Sequence, residues 1–211
     1  MCGDDYSFSA KYYDIIIGPL IKGLRRLGVD MYTPERGMSI LDVGCGTGEL
    51  LKLYKRYPCN LFGIDASPAM LAAARRKLGN DISLRLGDAT QMPFGDEFFD
   101  LITAMFVMHE MDHISRNSTL NEIKRILKKE GRILLIDYHT GPVRKLKGRI
   151  TKMAVHFIEG FAGERHFNNF RQFLSFGGLK ELISCHDLFI DKRKIVGGGT
   201  MALFLLRKSS R

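Results

Sequence analysis

The chain has 211 residues, 45% of them apolar, and a formal net charge of +9. That length and apolar content predict one domain with a sizeable core, and no apolar run approaches the ~20 residues of a membrane span. Cys2, Cys45, Cys59 and Cys185 are scattered without a Cys-x-x-Cys pair, which excludes a cysteine zinc site and a disulfide framework and predicts a cytoplasmic protein in a reducing compartment.

Charge is unevenly placed. Residues 1–140 hold 18 Lys/Arg and 18 Asp/Glu, whereas residues 141–211 hold 14 and 5. The basic excess of the last third suits either an anionic partner or a solvated surface.

In chain order, residues 6–28 carry apolar positions at helical spacing, with Gly18-Pro19 breaking the run. A buried strand follows over about 38–43, then Asp42-Val43-Gly44-Cys45-Gly46-Thr47-Gly48, then a helix from Glu49. Three glycines between a strand and a helix let a ligand approach bare backbone at a positive helix end. A dinucleotide fingerprint would need a glycine where Glu49 stands, and a Walker A loop would need Gly-Lys-Ser/Thr, so neither fits.

Strand two, 60–64, ends in Asp65, and Ser67-Pro68 starts a helix that stops at Gly79. Asp65 lies 23 residues after Asp42, at the tip of the neighbouring strand, where a carboxylate can hold both hydroxyls of a ribose. Strand three, 82–86, is followed by Asp88 and Ala89, a further 23 residues on. In the loop after it, Met92 and Phe94 are placed to flank a flat ring. Strand four spans 98–104 and runs on through Met105 to His109. The next helix ends at Lys128-Lys129 with Gly131 beyond, and strand five is 133–138.

Residues 143–161 form an amphipathic pattern, with Met153, Phe157 and Phe161 on the apolar face and Arg144, Lys145, Arg149 and Lys152 off it. That pattern suits a lid over the sheet or a peripheral membrane contact. A helical segment over 169–185 is interrupted at Gly177-Gly178, and strands six and seven fall at 188–196 and 200–206. Alternating strands and helices with near-continuous apolar strands predict an α/β fold with a parallel sheet covered on both faces.

The run LDVGCGTG at 41–48 resembles motif I of the class I S-adenosylmethionine (SAM)-dependent methyltransferases, and Phe99-Asp100 is similar to that family's strand-four signature. SAKYYD near the start and GGGTMALFLL at 197–206 resemble the quinone-pathway (UbiE-like, methyltransferase type 11) group. The resemblance implies a Rossmann-like seven-stranded sheet with strand seven antiparallel between strands five and six. It also implies a single domain over 1–211, with an N-terminal helical cap (1–30) and a substrate-side insert between strands five and six (141–170). It implies SAM as cofactor, leaving S-adenosylhomocysteine as product. The cofactor residues it implies are Tyr13, Asp42, Gly44, Cys45, Gly46, Gly48, Asp65, Ala66, Asp88, Ala89 and Met105.

Methyl transfer to a phenolic oxygen, or to a carbon beside one, also requires loss of a proton. His109, His139 and His166 are the candidate bases, His109 and His166 ahead of His139, because histidine titrates near neutral pH. The expected acceptor is a small quinol-like or lipid-like molecule. No Asn/Asp-Pro-Pro-Tyr motif follows strand four, which disfavours a nucleobase, and no metal is expected. The rival reading is a non-catalytic basic adaptor for RNA or membrane, which leaves the three strand-tip acids unexplained.

Overall fold

The computed structural model describes residues 21–142 and 163–209. Tyr13, most of the predicted N-terminal cap and the amphipathic stretch 143–161 lie outside the described residues.

Residues 21–31 are helical (α1) and run past the predicted end at 28. The remaining elements are β1 (Ser39–Val43), α2 (Glu49–Tyr54), β2 (Asn60–Asp65), α3 (Pro68–Leu78), β3 (Ser83–Leu86), β4 (Phe99–Met105), a 3₁₀ turn (Met108–Glu110), α4 (His113–Ile126), β5 (Leu127–Tyr138), α5 (Glu164–Phe176), α6 (Gly178–Ser184), β6 (Leu188–Val196) and β7 (Met201–Lys208). The strands form one seven-stranded sheet in the order β3-β2-β1-β4-β5-β7-β6. β7 is antiparallel to both β5 and β6, as the resemblance implied.

Local chemistry explains most boundaries. Ser67 caps α3 by accepting from the Met70 N–H, Pro68 opens the helix and Gly79 closes it. Asp112 caps α4 by accepting from the Ser115 N–H at 2.9 Å. Two boundaries differ from the sequence reading. α4 ends at Ile126, not at Lys129, and β5 begins at Leu127. The reason is pairing: Leu127 registers against Phe99, the Phe98 N–H donates to the Ile126 carbonyl at 2.8 Å, and Lys128 reaches Asp100 at 2.7 Å. Strand contacts override the helix-stop signal of Gly131. α5 also starts at Glu164, five residues before the predicted helix.

The core is the central sheet. Ile40, Leu41, Val43, Ile133 through Ile136 and Leu203 through Leu206 are almost wholly buried, each large side chain contributing about 1.5–3 kcal/mol. The sheet order reverses between β1 and β4, and in open α/β sheets that reversal leaves a crevice beyond the strand ends.

Part of the C-terminal basic charge is structural. Lys208 donates to the carbonyls of Leu127 and Lys124, Lys192 donates to that of Met31, and Arg207 pairs with Asp191 while lying over the Phe189 ring. The charges on β6 also guard an exposed sheet edge against pairing with another chain.

Candidate active site

The glycine loop joins β1 to α2 at the sheet's reversal point. The Gly44 and Cys45 N–H groups donate to the Ile64 carbonyl at 2.8 and 3.1 Å, which ties the loop to the end of β2. The three loop glycines have different tasks. A Cβ on Gly44 would meet Val107 at 2.5 Å, and one on Gly48 would meet Leu78 at 2.5 Å, so both are required by packing. Gly46, at φ +52°, has nothing within 4 Å of the Cβ position. It is the place where a ligand can meet bare backbone.

Asp65 is locked onto that loop. Its Oδ2 accepts the Gly46 N–H at 2.7 Å and its Oδ1 accepts the Ser67 N–H at 2.9 Å. The predicted ribose acid and the predicted cofactor loop are thus one hydrogen-bonded unit, with exposed Ala66 beside them. The Gly87 N–H donates to the Asp65 carbonyl at 3.1 Å, which brings the β3 tip alongside. There Asp88 is exposed and accepts the Thr90 N–H at 2.8 Å, and Ala89 is half-buried.

Asp42 is different. It is 3% exposed, and its Oδ1 accepts the Thr103 hydroxyl at 2.6 Å. Burial pushes its pKa from the ordinary 3.8 up to about 7; the Thr103 hydrogen bond lowers it and nearby Asp65 raises it. Asp42 therefore ties the C-terminal parts of β1 and β4 together at the crevice. Cys45 is likewise buried, and burial raises its thiol pKa far above the usual range. Met105 ends β4, half-buried against the core.

The two predicted ring-flanking residues both pack against the protein. Met92 is buried, and Phe94 packs edge-on against Phe62 and Phe99 with Arg85 over its ring. This aromatic cluster is part of the core, which is why it forms.

The other half of the site lies past β4. Phe106 takes φ +57° and its N–H donates to the Ile136 carbonyl at 2.8 Å. A left-handed residue without glycine costs about 1–2 kcal/mol, and here it turns the chain into the 3₁₀ turn that carries His109. The His109 ring is buried, with Nδ1 2.8 Å from Asp137 Oδ1. Asp137, at the end of β5, also accepts the N–H groups of Met108, His109 and Tyr138. The Nδ1–H of His109 points at a carboxylate, so its neutral ring carries the lone pair on Nε2.

Helix α5 closes this side. The Asn169 amide donates to the Glu110 carbonyl at 2.7 Å, which fastens α5 to the 3₁₀ turn. The His166 ring, one turn earlier on α5, stands perpendicular to His109 with centroids 5.5 Å apart. Phe106, Tyr138 and Phe170 complete an aromatic wall around His109. The structure thus brings His109 and His166 together.

His139 is not in that cluster. It bridges to Gly178, its N–H donates to the Thr200 carbonyl, and burial with nearby Lys180 and Arg193 lowers its pKa. The sequence reading missed Thr103, Asp137, Tyr138 and Asn169 as site residues. Asp137 repeats a signal already used for Asp42, Asp65 and Asp88: an acid at or just past the end of a sheet strand.

A doubly wound sheet with a glycine loop at its reversal point and an acid on the next strand tip defines a protein that binds an adenosine cofactor. A methyltransferase domain family matches residues 41–135. The chain is 31% identical over 168 residues to the demethylmenaquinone methyltransferase of Thermotoga maritima, covering 74% of this chain and 72% of that protein. It is 29% identical to the ubiquinone/menaquinone biosynthesis C-methyltransferase UbiE of Laribacter hongkongensis, covering 61% of this chain and 56% of that one. The fold is similar to a SAM-dependent methyltransferase from Aquifex aeolicus (TM-score 0.60, 18% identity, 87% of this chain and 89% of that one). It is also similar to a Pyrococcus horikoshii protein (TM-score 0.69, 18% identity, 94% and 99%). The chain belongs to the class I SAM-dependent methyltransferase family, and SAM is its cofactor.

Proposed function

We propose that the protein transfers the methyl group of SAM to a small aromatic acceptor of the quinol type, at an oxygen or at a carbon activated by one. The observation that carries this reading is the buried His109–Asp137 pair, walled by aromatic rings at the end of β4 beside the cofactor crevice. The names of the relatives from Thermotoga and Laribacter favour the same acceptor class. A non-catalytic adaptor would have no use for such a pair.

SAM, when bound, supplies a methyl group on a sulfonium leaving group that needs no protonation. Gly46, Asp65, Asp88 and Ala89 would hold it, the first because its Cβ position is open and the second because its carboxylate is fixed at the loop. The chain's remaining task is positioning, which supplies up to ~7–11 kcal/mol in favourable systems. The buried rings of Phe106, Tyr138 and Phe170 hold the His109 ring in place and give the acceptor side an apolar backing. His109 and His166 meet the acceptor's hydroxyl and stabilise its oxygen as the proton leaves. Asp137 fixes the tautomer of His109.

We also propose, from its amphipathic pattern, that the stretch 143–161 covers the acceptor and touches anionic membrane surfaces. Among the described residues no helix is long and apolar enough to cross a membrane. Flotation with anionic vesicles at low and high salt tests the contact. Salt-sensitive binding is expected, and absence of binding at low salt would refute it. Transfer of labelled methyl from SAM to a reduced naphthoquinone without a ring methyl tests the reaction itself.

A further inference from the structure

We propose that His109, Glu110 and His166 form a binding site for a divalent transition-metal ion of the zinc class. One candidate ligand atom from each of these residues lies within 4.8 Å of the other two. Two imidazoles and one carboxylate are a donor set that suits zinc and leaves a fourth position for a substrate oxygen.

Two independent features support a built site. The first is Asp137, which engages His109 Nδ1 at 2.8 Å. Metal-ligating histidines commonly donate their second ring N–H to a carboxylate, which sets the tautomer and raises the basicity of the ligating nitrogen. The second is Asn169, whose 2.7 Å hydrogen bond to the Glu110 carbonyl holds the helix bearing His166 against the turn bearing His109 and Glu110. A tetrahedral zinc needs ligand atoms roughly 3.4 Å apart. Loading therefore draws His166 and Glu110, which are accessible, towards His109, which is buried and fixed.

This inference rests on the proposed function only for the role of the ion. Bound there, the ion would replace the direct contact of His109 and His166 with the acceptor and take its hydroxyl oxygen at the fourth position. The acidified hydroxyl would release its proton to water, as zinc-bound water does.

The test is titration of the chelator-treated full-length protein with zinc by calorimetry, and with cobalt by visible absorption. One ion per chain is expected. His166→Ala and Glu110→Gln should each weaken it tenfold or more, and Asp137→Asn by about 10–100-fold. SAM binding, measured on each variant, confirms that it is folded. No zinc uptake by the wild type, or equal uptake by His166→Ala, would overturn the site. Labelled methyl transfer that is unchanged after zinc removal would overturn the role of the ion and leave the proposed function standing. Loss of SAM binding in the wild type would instead strike the proposed function.

Discussion

The Gly46 N–H donates to Oδ2 of Asp65 at 2.7 Å, so the open point of the glycine loop and the acid of the next strand are a single rigid unit. Asp65→Ala removes an acceptor from the loop and, on the proposed reading, from the ribose of SAM. SAM affinity should fall by about 1.5–3 kcal/mol, the range for hydrogen bonds to a charged group. Calorimetry on the folded variant checks this, and wild-type affinity would remove Asp65 from the cofactor site.

The loop glycines should separate by phenotype. Gly46→Val points into open space and should abolish SAM binding while the sheet survives, at the cost of a strained φ of +52°. Gly44→Ala and Gly48→Ala drive a methyl group into Val107 and Leu78 and should cost about 1–3 kcal/mol of stability from overpacking. Thermal melts and SAM titrations on the three variants distinguish the classes. Equal loss of stability in all three would contradict the assignment.

Asp42 makes stability depend on pH with an unusual sign. Its folded pKa is raised from the ordinary 3.8 to about 7 by burial, so the native state binds the proton more tightly than the unfolded chain does. Its contribution to stability is therefore lost as pH rises through that window, by at most ~1.4 kcal/mol per pH unit. Asp42→Asn removes the titration and should flatten the profile. Urea melts between pH 5 and 8 measure this, and an identical slope in the variant would refute it.

Asp137→Asn changes the partner of His109 Nδ1 from an acceptor-only carboxylate to an amide. Methyl transfer should fall by about 10²-fold or more, the typical worth of a positioned proton-handling group. SAM affinity should stay near wild type, because the cofactor loop is on other strands. A loss confined to cofactor binding would remove the pair from the acceptor side.

The glycine loop and the strand-tip acids proposed to hold the cofactor were legible in the sequence because their signals are local. The glycine loop, the caps Ser67 and Gly79, and the acids at strand tips each sit within a few residues of the element they punctuate. The acceptor half was legible only in part. His109 and His166 stood out as residue types, but their meeting depends on Asn169 fastening α5 to a turn 59 residues earlier. No metal-ligand spacing shows in the chain, since His166 lies 57 residues from His109. An aromatic in a loop such as Phe94 looks the same in sequence whether or not it also packs, as here, on Phe62 and Phe99. The early end of α4 was hidden for a related reason: Leu127 gains a strand partner, Phe99, that local propensity does not record.

Methyl transfer from SAM to a quinol-type acceptor, with cofactor binding through Gly46 and Asp65, can be observed in one reaction. The direct measurement is a single-turnover assay with methyl-labelled SAM and a reduced naphthoquinone lacking its ring methyl, followed by organic extraction. The wild type should carry label into the organic phase, Asp137→Asn should lose most of it, and Gly46→Val should transfer none. Label that stays entirely in SAM, under conditions where calorimetry shows SAM bound and the quinol reduced, would contradict the proposed transfer.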